Sequence, residues 1–243
     1  KFNPCRCGSS KPKPGDPDYE IDKFDFVVKH MDALVVSLDP ALMTITRVWV
    51  VAEIGQAMKE TPVHFRLARG LNEAPKQKLL SGETVARPVR QCDATSAEDK
   101  RRILQTINEG TGEAAFDDFV ETMIEIAFGI FTRLQHMEEA AKLALQRLQT
   151  IGIDFSGTGQ GIRSVPEELQ EALVMFSQLR HLDLSFAGSY ELIDISALKD
   201  GLGGLQQLQH LNMSFAGCHK LIDISALKDG LGGLQQLQHL NMS

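Results

Sequence analysis

The sequence predicts an α/β protein: a parallel sheet with covering helices, followed by a short solenoid. Three observations carry this. Residues 192–214 read LIDISALKDGLGGLQQLQHLNMS, and residues 221–243 repeat the same 23 residues at an offset of 29. A fixed period of this size marks units that bury their apolar faces against one another. Ahead of the repeats, short Val- and Leu-rich runs alternate with longer stretches of helical periodicity, the pattern of a parallel sheet. Between the two parts lies GIDFSGTGQG, residues 152–161, which reads as a Gly-rich joint.

Each element has its own signal. Residues 1–18 are rich in Pro, Gly, Ser and Lys and read as a loop or linker. Ile21, Phe24, Val27 and Val28 recur at helical spacing within residues 19–31. Residues 33–38 (ALVVSL), closed by Asp39-Pro40, form a buried strand. Residues 44–59 are helical, with Trp49, Ala52, Glu53 and Gln56 on one face, and residues 62–67 (PVHFRL) are a second strand. A helix over 74–81 and a third strand over 89–93 follow. Ser96 caps a helix running through Asn108, with Asp99 three residues on. Residues 114–150 are apolar-periodic and free of Pro, so one or two helices are expected, with Gly129 as a kink. The predicted division is a loop over 1–18, an α/β domain over 19–150, a linker over 151–164 and repeats over 165–243.

Bulk composition narrows the function classes. The net charge of −7 leaves no global basic footprint for nucleic acid. From Ile151 onward, five Lys or Arg face ten Asp or Glu, so the repeats are mildly acidic. No run reaches the ~18 apolar residues of a membrane span. Cys5, Cys7, Cys92 and Cys218 are too few and too irregular for a disulfide framework, so a reducing, cytoplasmic setting is expected. Cys5-x-Cys7 has no second ligand pair at zinc spacing and reads as free thiols, so neither a metal nor a cofactor is expected. The first residue is Lys1 and the last unit carries no capping turn, which reads as a fragment of a longer chain.

Within one period, Leu208, Leu211 and Met213 alternate as a strand, and Leu221, Ile224, Leu227 and Leu231 recur as a helix. Leu182, Leu211 and Leu240 are expected to be equivalent buried positions. The residues between them point outward: Arg180, His181 and Asp183, then Gln209, His210 and Asn212, then Gln238, His239 and Asn241. This strand–helix unit, with its LxxLxL core and SFAGC closing the turn, resembles a leucine-rich repeat. The resemblance implies a surface for protein partners, and these nine residues are the candidate binding positions.

A second resemblance rests on residues 32–54. DALVVSLDP is followed by TITRVWVVAEI, which carries Thr46, Trp49, Val50 and Glu53 where Toll/interleukin-receptor (TIR) domains have S-x-x-W-C-x-x-E on a helix. Residues 93–107 (DATSAEDKRRILQTI) are similar to the TIR-like domains found beside repeats in large protist and algal proteins. The resemblance covers residues 20–130 and implies a partial TIR-like domain. In the NAD-cleaving members the motif glutamate, here Glu53, orients the nicotinamide ribose and stabilises an oxocarbenium-like transition state. The expectation is a non-catalytic interaction or scaffold protein, alone or as a subunit of a larger complex, with Glu53 facing solvent or pairing with Arg47. The alternative is an NAD glycohydrolase acting through Glu53.

Overall fold

The computed structural model describes residues 27–28, 30–31, 34–61, 63–67, 71–155 and 161–243, without the side chains of 58–60, 63–67 and 135. The expected loop over 1–18, the Cys5-x-Cys7 pair and the segment 156–160 lie outside the described residues, as does most of the helix expected over 19–31. Within that helix Val28 is fully buried, and its carbonyl accepts the Thr61 hydroxyl at 2.8 Å.

The chain forms two parallel sheets. Strands β1 (Leu34–Leu38) and β2 (Val63–Leu67) pair in register from Leu34↔Val63 to Leu38↔Leu67. Helix α1 (Val48–Glu60) connects them, preceded by a 3-10 turn over Met43–Thr46. The strand is not buried on both faces as expected: Val36 and Leu38 point inward, while Val35 is 59% exposed. The turn after β1 is held by one carboxylate. Asp39 accepts from the Ala41 N–H at 3.0 Å, the Thr44 N–H at 2.8 Å and the Thr44 hydroxyl at 2.9 Å.

Helix α2 (Glu73–Ser81) follows, then α3 (Ala97–Gly110), where the Ser96 hydroxyl accepts from the Asp99 N–H. The third strand expected over 89–93 is a 3-10 turn, Val89–Gln91, with a single parallel bridge between Arg47 and Asp93. The reason lies in helix α4 (Glu113–Ala127), which carries Glu113, Asp117, Glu121 and Glu125 at four-residue steps along one face. Glu121 accepts the N–H groups of Val85 and Ala86 at 2.7 and 2.6 Å, and Asp117 accepts that of Val89 at 2.7 Å. Donors that a sheet ladder would need are therefore spent on carboxylates. Glu113 holds the Arg90 guanidinium at 2.8 Å, and the fully buried Glu125 holds Arg133 at 2.8 Å and Thr132 at 3.0 Å.

Gly129 ends α4 rather than kinking it. With φ at 71° it closes a Schellman turn: the Gly129 N–H reaches Ile126 O at 2.9 Å and the Ile130 N–H reaches Glu125 O at 2.9 Å. A short helix α5 (Glu139–Gln146) follows.

Strand β3 (Thr150–Asp154) occupies the start of the stretch expected to be a linker. It is the first of four parallel strands, β3, β4 (His181–Ser185), β5 (His210–Ser214) and β6 (His239–Met242), in sequence order. Helices α6 (Glu167–Met175), α7 (Leu198–Gly203) and α8 (Ser225–Leu231) alternate with them. The register is Ile151↔Leu182↔Leu211↔Leu240. Leu182 and Leu211 are fully buried, as expected. Leu240 is 46% exposed, because nothing described packs beyond β6.

The two parts share one apolar core running from Val28 to Leu234. Strand β2 lies against β3 although they belong to different sheets. The rings of Phe155, Phe186 and Phe215 stack at 4.8 and 5.2 Å, and Phe131 from the loop after α4 meets Phe155 at 6.4 Å. No helix among the described residues is long and apolar enough to cross a membrane.

Candidate protein-binding face

A strand points alternate side chains to opposite faces. In β4 and β5 the inward set is Leu182, Leu184, Leu211 and Met213, all buried. The outward set forms columns, because the parallel register sets equivalent residues side by side. His181, His210 and His239 are one column; Asp183, Asn212 and Asn241 are another. Arg180, Gln209 and Gln238 form a third at the strand entrance. There the Gln209 and His210 N–H groups share the Arg180 carbonyl at 2.8 and 2.9 Å, and those of Gln238 and His239 share the Gln209 carbonyl at 2.9 and 3.0 Å. The nine residues singled out in the sequence thus fall on three adjacent columns.

The columns are internally bonded. The imidazoles stack with ring centroids 4.2 and 4.5 Å apart and planes within 11° and 16° of parallel. Asn212 donates through Nδ2 to Asp183 Oδ1 at 2.6 Å. The face is therefore fixed by its own cross-strand contacts. Near-parallel rings keep their in-plane nitrogens in separate planes, so the lone pairs do not converge on one ion. Among the described residues, no group of three or more His, Cys, Asp or Glu has a geometry that could hold a metal.

Sequence reasoning missed the first row of this face. Thr150 lies beside His181, Gly152 beside Asp183 and Asp154 beside Ser185. The signal was present: Leu148, Ile151, Ile153 and Phe155 repeat the spacing of Leu179, Leu182, Leu184 and Phe186. Gly152 and the Gly-rich run behind it masked that spacing as a joint.

Glu53 lies elsewhere. Helix α1 buries Val48, Val51, Ile54 and Ala57, which leaves Trp49, Ala52, Glu53 and Gln56 partly buried on the other side. Trp49 packs against the edge of the core. Burial raises the Glu53 carboxyl above its ordinary range. Among the described residues it has no hydrogen bond or ion pair, so neither the expected partner Arg47 nor open solvent accounts for it. Nothing described brings it near the strand columns. An open groove between α3 and α4, lined by Arg90, Arg101, Leu104, Asn108 and Glu113, does not include it either.

Cys92 and Cys218 are both buried free thiols. Burial, with the nearby Asp117 charge, pushes the Cys92 thiol up to about 11, and its Sγ donates to the Arg87 carbonyl. A thiol held protonated in this way is a poor nucleophile. Compared with family models, with curated proteins and with solved structures, the chain gives no match.

Proposed function

We propose that this chain is a protein-interaction module. Its outward strand face, built as stacked leucine-rich repeats, is the surface that a partner protein meets, and the α/β part, a partial TIR-like unit, is its non-catalytic support. The observation that carries the reading is the set of in-register columns across β4, β5 and β6, pre-ordered by stacked imidazoles and by the Asp183–Asn212 bond. A pre-ordered face loses less side-chain freedom on binding. The acidic balance of the repeats disfavours a phosphate backbone as the ligand. The free thiols of Cys92 and Cys218 fit a reducing, cytoplasmic setting.

The test is a binding comparison in which partners taken by the native chain are measured again with His181→Ala, His210→Ala and His239→Ala combined. The variant should keep its circular dichroism and lose those partners. Partners retained at equal affinity by the folded variant would sink the strand-face reading.

A second reading is NAD glycohydrolysis through Glu53. What favours it is the partly buried carboxyl with a raised pKa, which has no partner among the described residues, a combination found at functional sites. NAD turnover by this chain that disappears in Glu53→Ala would put this reading first.

A further inference from the structure

The strand face repeats, and a repeated surface does not by itself hold a partner in one place. Strands β5 and β6 present the same outward residues: Gln209, His210 and Asn212, then Gln238, His239 and Asn241. Neighbouring strands lie about 4.8 Å apart. A partner segment that grips one of these rows finds an identical row one strand away.

Strand β4 breaks this degeneracy at two outward positions. His181 matches His210 and His239, but Arg180 stands where β5 and β6 have Gln, and Asp183 stands where they have Asn. Two neutral amides of the repeated row are therefore charged groups here, one of each sign. They differ in what they already hold. Asp183 accepts the Asn212 amide through Oδ1 at 2.6 Å. Arg180 is exposed, and its side chain makes no hydrogen bond or ion pair among the described residues. On its other flank lies Gln149, whose carbonyl accepts the Arg180 and His181 N–H groups at 2.8 and 2.9 Å. The strand entrance is thus a row of glutamines, Gln149, Gln209 and Gln238, with one guanidinium set among them.

We propose that Arg180 fixes the register of the partner protein on the strand face, and that the partner presents a carboxylate to it. A guanidinium offers its N–H donors in a planar fork that matches a carboxylate. The amides and imidazoles supply contacts at every row, whereas this ion pair forms at one row alone. It therefore acts as a difference in affinity between placements, which is what specificity requires. An exposed ion pair is worth up to about fivefold in affinity, enough for one placement to dominate. This inference rests on the strand face being the binding surface.

The probe is a phage-displayed library of random linear peptides. It is selected in parallel on the native chain, on Arg180→Gln, on Arg180→Glu and on the combined His181→Ala, His210→Ala, His239→Ala variant. Arg180→Gln is tolerated by the fold, because Gln149 and Gln209 already occupy the flanking positions of the same column. The native chain should select a consensus with Asp or Glu at one fixed position. Arg180→Gln should keep the rest of that consensus and lose the acid, and Arg180→Glu should replace the acid by Lys or Arg. A peptide from the native selection should bind Arg180→Gln about fivefold more weakly at low salt. That difference should vanish on the order of 0.5 M salt, where exposed charges are screened. An acidic position that persists on Arg180→Gln overturns the proposal; if the histidine variant then selects nothing, the strand-face reading itself stands. The same consensus on the histidine variant removes the strand-face reading and this inference with it. A native selection that yields no consensus, or one without an acidic position, also overturns the proposal.

Discussion

Leu211 and Leu240 are equivalent residues whose surroundings differ only in the unit packed above them. Leu211→Ala empties a closed site and is expected to cost about 2–5 kcal/mol in urea unfolding. Leu240→Ala removes a half-exposed side chain and should cost well under half as much; equal costs would show that the described end of the sheet is covered in solution. Asp39 gives a different kind of prediction. Burial alone would raise its pKa, but hydrogen bonds from the Thr44, Met43 and Ala41 backbone and from the Thr44 hydroxyl hold it down to about 2. A depressed folded-state pKa contributes stability that is present above the unfolded value of 3.8 and is lost as pH falls toward 2. Asp39→Asn should therefore be less stable than the parent at pH 6, with the gap closing between about pH 4 and pH 2. A gap that stays constant over that window would remove Asp39 as the anchor of its turn.

Helix α4 shows what one element can do for its neighbours. Glu121 and Asp117 serve the connection from Gly82 to Asp93 as substitute strand partners, Glu113 holds its Arg90, and Glu125 reaches it through Arg133, which donates to the Gly82 carbonyl and the Thr84 hydroxyl. Glu121→Ala strands the Val85 and Ala86 N–H groups, each worth about 1–3 kcal/mol when left unsatisfied, and should make residues 83–91 sensitive to limited proteolysis before global unfolding. At the other end of the helix, Gly129→Ala meets two obstacles: a φ of 71° and a Cβ placed 2.4 Å from Phe155 Cδ1. It should lower the melting temperature more than a surface Gly→Ala substitution such as Gly110→Ala, which has open space around it. These elements also show what the sequence exposed. The repeat strands were legible because a 29-residue period places identical leucines in register, and the Ser96 cap was legible because its partner is three residues away. The roles of Glu121 and Asp117 were not, because their backbone donors lie 28 to 36 residues away. The columns of the candidate face were read from alternation alone, whereas the partly buried state of Glu53 depends on packing that no spacing encodes.

At the scale of the whole molecule, the continuous core and the run of rings from Phe131 to Phe215 join the α/β part to the repeats. The single tryptophan, Trp49, sits in the α/β part. Leu211→Ala, far from it in sequence, should lower the Trp49 fluorescence transition and the circular-dichroism transition together. Two separated transitions would mean that the parts unfold independently. The 23-residue identity has a further consequence for the folding chain. Strand β4 meets the same sequence in β5 and in β6, so early pairing cannot tell the near copy from the far one. Choosing the far copy loops out one whole period, and the cost of closing a longer loop grows only slowly with its length. Selection against this miswired fold falls to the helices, since α7 has close partners on both sides only when no unit is skipped. A duplication that makes the mature stack regular thus leaves the nascent chain with an ambiguity in counting.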